Sequence, residues 1–176
     1  MWGKDDCFIF SSGDILSSQV GQAKSPSKSK KDGGLIMKLS KDFDSKEFVC
    51  PCCGGVMIDP KLAFELQELR DILGKAVYIS SGYRCKKENK RIGGYEHSPH
   101  LTGLAVDIKV KGISPVRLAD IAKTLNNVRL GIYPNHLHLD VRPPHPSRYW
   151  LVKKYGGKYL YSGKEKDLKK FLRNLI

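Results

Sequence analysis

Ser98-Pro99-His100-Leu101-Thr102-Gly103-Leu104-Ala105-Val106-Asp107 and His136-Leu137-His138-Leu139-Asp140 are the two stretches that decide how this chain is read. Leu104 to Val110 alternates as a strand, with Asp107 set between Val106 and Ile108. A carboxylate in such an apolar strand is costly unless it is paired or bound to a metal. Side chains alternate across a strand, so His136, His138 and Asp140 share one face while Leu137 and Leu139 point to the core. Gly103 permits a tight entry into the Asp107 strand. Two imidazoles and a carboxylate suit zinc. Three protein ligands with a fourth position left open are the pattern of a catalytic site. A lone His100 would more often be structural; beside a strand-embedded Asp107 and the His136/His138/Asp140 face, the metal reading is favoured.

Outward from these stretches, the chain reads as an α+β domain with two helices on a small antiparallel sheet. Asp59-Pro60 is an N-cap followed by Pro at the first helical position; Leu62, Leu66, Leu69 and Leu73 follow at helical spacing, and Gly74 supplies the stop. Ala76 to Ser80 reads as a short strand, and residues Ser81 to Thr102 as a long polar connection. Ser114-Pro115 opens a second helix, with Val116, Ala119, Ala122 and Leu125 among its buried candidates. Arg129 to Tyr133 and His136 to Val141 are further strands. Lys164 to Ile176 has the spacing of a basic amphipathic helix, read as a surface helix in preference to an anchor on wall polymer or membrane.

Three segments are expected. Residues 1–36 contain the run Lys24-Ser25-Pro26-Ser27-Lys28-Ser29-Lys30-Lys31, a composition too polar to offset chain entropy by burial, and are expected to be flexible. Residues 37–150 form the functional domain, for which Met37 is a candidate start. Residues 151–176 are a basic C-terminal extension. The excess of 31 Lys+Arg over 18 Asp+Glu, a net charge of +13, favours polyanionic partners. No apolar run is long enough to span a bilayer, and the first ten residues lack the basic-then-apolar order of a secretory signal.

With these motifs in place, the sequence resembles the zinc D-alanyl-D-alanine carboxypeptidase and murein endopeptidase family, whose fold is shared with the hedgehog signalling domain. The resemblance runs from about Leu39 to Arg142. It includes Ser81-Gly82-Tyr83-Arg84, Asn89, Gly93-Gly94, the Ser-x-His-x-x-Gly-x-Ala-x-Asp pattern of Ser98 to Asp107, and His138-x-Asp140. The lead-in from Phe43 to Cys50 is similar to phage members. The resemblance implies zinc ligands at His100, Asp107 and His138 and a substrate-binding arginine at Arg84. It also implies peptidoglycan peptides as substrate and action at the cell wall; with no recognisable signal peptide, the chain is expected to be made in the cytoplasm and to reach the wall by another way out, such as phage-type release. Asn135 stands where many members carry a general-base carboxylate. His136 is the natural substitute, since another branch places a catalytic histidine two positions before the ligand, and its unperturbed pKa near 6.5 suits proton transfer. Asp140 would orient a ligand histidine or act itself.

Five cysteines without a signal peptide argue against a fully oxidised framework. Cys50-Pro51-Cys52-Cys53-Gly54-Gly55 is tight and Gly-flanked, like a metal knuckle. Three readings stay open for Cys50, Cys52, Cys53 and Cys85: a second, structural zinc site, a disulfide from the lead-in to Cys85, and free buried thiols.

The function expected is zinc-dependent hydrolysis of peptide bonds in peptidoglycan stem peptides or cross-links, with endopeptidase preferred to carboxypeptidase on the phage-like resemblance. The alternative from another class is a non-catalytic binding module of the same fold, for which Asn135 is the one feature. Specific nucleic-acid binding has only the charge in its favour, without a recognition helix or stacking aromatics. Anionic wall polymers are a further candidate partner, and the chain is expected to be a monomer.

Overall fold

Helix α1, Pro60–Leu73, begins where its sequence says it should. Asp59 accepts a hydrogen bond from the Lys61 amide, Pro60 occupies the first turn, and Gly74 ends the helix in the left-handed conformation at φ 58°. One stripe of α1 buries Leu62, Leu66 and Leu69 almost completely. Each such leucine stabilises the fold by roughly 1.5–3 kcal/mol through the apolar surface it removes from water.

The structure is a computed structural model that describes residues 36–143, 149–155 and 158–162. The segment 1–35, and with it Cys7, lies outside the described residues, as does the helix expected over Lys164 to Ile176. After α1 come β1 (Val77–Ser81), α2 (Lys86–Arg91), β2 (Ala105–Val110), α3 (Pro115–Ala122), β3 (Arg129–Ile132), β4 (Leu137–Asp140), β5 (Tyr149–Tyr155) and β6 (Lys158–Ser162). Short 3-10 turns occupy Ser45–Phe48 and Pro99–Thr102.

The fold is α+β. Strands β1, β2, β4 and β3 form an antiparallel sheet in that order, and three helices accompany it. The sheet differs from expectation at its far side. Strand β5 adds to β3 in parallel and β6 then pairs with β5, giving the order β1-β2-β4-β3-β5-β6. The sheet thus continues across residue 150 into the stretch read as an extension. Two further adjustments are local. Helix α2 lies inside the connection read as irregular, with Cys85 as its N-cap. In α3 Leu118 is buried together with the expected Ala119 and Ala122, while Val116 is only partly buried.

The core lies between α1, α3 and one face of the sheet. Phe43, Phe48, Leu66, Leu69, Val106, Ile108, Leu118, Leu125, Leu130, Leu137 and Leu139 are all at most 1% exposed. Leu137 and Leu139 therefore spend the inward face of β4 on packing and leave the other face for chemistry. No helix among the described residues is long and apolar enough to cross a membrane.

Candidate metal centre

Strands β2 and β4 pair so that Asp107 lies directly opposite His138. Cross-strand partners project from the same face, so this register brings a carboxylate and an imidazole together without any loop. His138 Nδ1 is 2.9 Å from Asp107 Oδ1. The third member arrives from the 3-10 turn at Pro99–Thr102, which places His100, fully buried, against the same carboxylate. His100 Nε2 is 3.1 Å from His138 Nδ1 and 3.3 Å from Asp107 Oδ1. The turn is fixed by Gly103 at φ 69°, where a Cβ would come within 2.7 Å of the Met57 backbone carbonyl. The Gly103 carbonyl accepts the Asp59 amide at 2.9 Å, so the entry to α1 and the His100 turn are tied together.

The outer nitrogens set the tautomers. His100 Nδ1 lies 2.7 Å from the Gly82 carbonyl oxygen. A carbonyl can only accept, so Nδ1 carries the proton and Nε2 presents a lone pair. His138 Nε2 lies 3.4 Å from Asp140 Oδ2; in the tautomer whose proton faces Asp140, its Nδ1 is the bare nitrogen, turned to Asp107. His100 Nε2, His138 Nδ1 and Asp107 Oδ1 thus converge as three acceptors with no donor of their own between them. One extra proton would satisfy one of the three contacts; a divalent cation satisfies all three. Their separations of 2.9, 3.1 and 3.3 Å approach the ligand spacing of about 3.3 Å that tetrahedral zinc bonds of about 2.0–2.1 Å would give. The donor set therefore fits a metal.

Burial and hydrogen bonding fix the charges. Burial lowers the His100 pKa against the pull of Asp107. At Asp107 burial opposes ionisation, but the flanking His100 and His138 imidazoles hold its pKa well below the usual carboxylate range. At His138 burial again opposes charge, yet the neighbouring Asp107 and Asp140 carboxylates raise its pKa overall. Asp140 is fully buried and accepts two guanidinium bonds from Arg142, at 3.0 and 2.7 Å, and the Arg142 amide at 3.2 Å. Its pKa is lowered despite burial by His138 and Arg142. So engaged, Asp140 is placed to orient His138.

His136 lies just outside the triad. Its Nδ1 faces Asn135 Oδ1 at 2.8 Å and its Nε2 stands 3.7 Å from Asp107 Oδ1. Its pKa is lowered, chiefly by burial, against the attraction of Asp107. Tyr133 stacks on it with ring centroids 4.3 Å apart and 17° between planes. Arg84 reaches the same area from the end of β1. Its amide donates to the His100 carbonyl at 3.1 Å, its Nη2 is 3.5 Å from Ser98 Oγ, and its Nε is buried without a hydrogen-bond partner among the described residues. Desolvation lowers its pKa, partly offset by Asp107 and Tyr133.

All six residues singled out from the sequence, His100, Asp107, His138, His136, Asp140 and Arg84, therefore gather in one region. Four contributors were not singled out: the Gly82 carbonyl, Arg142, Tyr133, and Trp150, whose ring lies 5.4 Å from that of His138. The Gly82 carbonyl and Trp150 carry no local sequence signal, since a backbone oxygen is invisible in a sequence and Trp150 arrives through the parallel β3–β5 pairing. Arg142, two residues after a buried Asp, was open to the same alternation argument that picked out His138.

A second cluster of ligand-type atoms involves Cys50, Cys53 and Cys85, which fall within 4.8 Å of one another. Cys52 is exposed and stands apart from it, and Cys85 carries a free thiol. The disulfide reading for Cys85 is thereby corrected: its sulfur is instead the N-cap acceptor of α2.

Comparison with known proteins bears on the same span. The sequence model of the Peptidase M15 family matches residues 41–140. The peptidoglycan L,D-endopeptidase MepK of Escherichia coli (strain K12) is 32% identical over 102 residues, covering 53% of this chain and 54% of its own length. The probable peptidoglycan L,D-endopeptidase MepK of Haemophilus influenzae is 27% identical over 96 residues, covering 49% of this chain and 52% of its own. The chain spans about half the length of the curated relatives it matches. More than half of its residues fall inside the family match, and so do the converging histidines and aspartate; the chain belongs to the Peptidase M15 family.

Proposed function

We propose that this chain is a zinc-dependent endopeptidase acting at the cell wall on the stem peptides or cross-links of peptidoglycan. The carrying observation is the convergence of His100 Nε2, Asp107 Oδ1 and His138 Nδ1, with the outer imidazole nitrogens facing the Gly82 carbonyl and Asp140. These three residues would hold the ion. When bound there, zinc supplies Lewis acidity that polarises a carbonyl and acidifies water.

The protein's own groups divide the remaining work. Asp140, locked by Arg142, keeps the His138 proton outward and so keeps the liganding nitrogen bare. Asn135 Oδ1 performs the same service for His136 by accepting from Nδ1, which leaves Nε2 free to take a proton from the triad side. His136, with its pKa below the ordinary value, is neutral near pH 7 and in the form that accepts a proton. Arg84 supplies a fixed positive charge for a substrate carboxylate or for a carbonyl oxygen on which negative charge develops. Its half-buried guanidinium strengthens that interaction, because less water competes for it. The net charge of +13 favours accumulation on anionic wall polymers.

The binding-module reading drew on Asn135. Its bond to His136 gives that residue a use within a catalytic arrangement and weakens this alternative. The peptide bond between an L and a D residue, which the names of the relatives carry, is the first bond to assay.

The deciding experiment is digestion of purified peptidoglycan with the zinc-loaded protein, with and without chelator, followed by mass spectrometry of the muropeptides. The expected result is cleavage within stem peptides or cross-links, abolished by chelator and restored by zinc. Intact muropeptides after incubation with the loaded protein would overturn the assignment.

A further inference from the structure

Behind Arg84 a second set of soft ligand atoms is assembled by three separate means. First, Cys50-Pro51-Cys52-Cys53-Gly54 folds into a closed knuckle. The Gly54 amide donates to the Cys50 carbonyl at 3.0 Å, the Cys50 amide to the Gly55 carbonyl at 2.8 Å, and Gly54 takes φ 71°. Cys50 and Cys53 of this turn belong to one cluster with Cys85, whereas Cys52 between them does not; Cys52 and Cys53 are both exposed. Second, the chain following β1 returns to the knuckle and inserts Cys85. The sulfurs of Cys50, Cys53 and Cys85 then lie within 4.8 Å of one another. Third, backbone amides are aimed at the two buried sulfurs: Cys85 N–H at Cys50 Sγ, 3.4 Å, and Glu88 N–H at Cys85 Sγ, 3.5 Å. Thiols are weak acceptors, whereas thiolates gain substantially from such donors. Cys50 is 0% and Cys85 5% exposed, so their surroundings favour an anion only if a cation is at hand to share it.

We infer that Cys50, Cys53 and Cys85 form a structural site for a soft divalent cation such as zinc, separate from the His100/Asp107/His138 centre. Tetrahedral zinc–sulfur bonds of about 2.3 Å would separate the sulfurs by about 3.8 Å, within the span observed. Exposed Cys53 leaves the fourth position open to water. The Cys53 sulfur is disulfide-bonded, whereas Cys50, Cys52 and Cys85 are free thiols, so the site belongs to the reduced protein. A phosphine reductant and one water convert the disulfide to two thiols, and the phosphine becomes its oxide. Each liganding thiol then releases its proton on metal binding. The ion would tie the lead-in knuckle to the residue next to Arg84, and thereby brace the arginine from behind.

The test is cobalt and zinc loading of the full chain after phosphine reduction under argon. The reduced protein should take up two ions per chain and show sulfur-to-cobalt charge-transfer absorption in the near ultraviolet. The unreduced protein should lack most of that absorption. A His138→Ala variant should lose one ion and keep the band, which separates this site from the proposed catalytic one. Cys50→Ser and Cys85→Ser should each lose the band and one ion, whereas Cys52→Ser should keep both. A reduced wild-type protein with no sulfur-to-cobalt band would overturn the inference, whether or not the serine variants fold. So would a band that survives in Cys85→Ser and disappears in Cys52→Ser.

Discussion

The two sides of the candidate centre are built differently. Asp107 and His138 sit opposite each other on paired strands, anchored by the leucines of β4 at 0% exposure. His136 and Arg84 sit at strand ends, half-covered, on chain that turns toward solvent. A rigid register suits groups that must share one ion at fixed spacing; strand ends suit groups that must meet a substrate. The difference teaches that neighbouring histidines of one short segment can be given different surroundings, and the proposed function assigns them different duties. His138 faces Asp107 at 2.9 Å and is backed by the Asp140 carboxylate, whereas His136 stands at 3.7 Å, backed by the neutral Asn135 amide and stacked on Tyr133.

The largest effect is expected at the rigid side. Replacing His138 with Ala should strip the catalytic ion and abolish peptidoglycan cleavage, as read by metal analysis and muropeptide release on the same sample. The outer side should respond otherwise. His136→Ala should keep zinc near the wild-type level while turnover falls about 10²–10⁴-fold, the usual contribution of a positioned acid or base. A wild-type rate in that variant would erase the contrast between the two histidines, and loss of its zinc would make His136 a ligand.

Asp140→Asn probes the support of the rigid side. The amide keeps the shape but replaces the carboxylate that orients His138 and neutralises Arg142. Zinc affinity should weaken about 10–100-fold, measured by competition with a chromophoric chelator. The smallest effect is expected away from both sides. Asp59→Ala removes the cap on the Lys61 amide and should cost about 1 kcal/mol in a denaturant titration, with zinc content unchanged. A change in zinc content there would show that the geometry of the α1 entry, whose Asp59 amide is bonded to the Gly103 carbonyl, also sets His100.

Most of this architecture was legible where the signal is local. Asp59-Pro60 and Gly74 delimited α1 because caps act within a turn, and Asp107 stood out because a charge in an apolar strand requires a partner. Period-two alternation put His138 and Asp140 on one face without knowledge of the fold. What escaped was non-local or had no apolar rhythm. Helix α2, Lys-Lys-Glu-Asn-Lys-Arg, buries Glu88 and Asn89 in place of hydrophobic residues, so no periodicity announced it. Parallel pairing of β5 with β3 depends on contacts between distant segments, and Trp150 reaches His138 only through it. For Cys50, Cys52, Cys53 and Cys85 the spacing left three readings open. The register of the knuckle against Cys85 excluded Cys52 from the cluster.

The central claim is that three named atoms share one ion, and anomalous diffraction at the zinc edge from crystals of the loaded protein tests it most directly. The account predicts a peak bonded to His100 Nε2, Asp107 and His138 Nδ1 at about 2.0–2.2 Å, with His136 outside bonding distance. A loaded, active crystal with no peak among those three residues would contradict it.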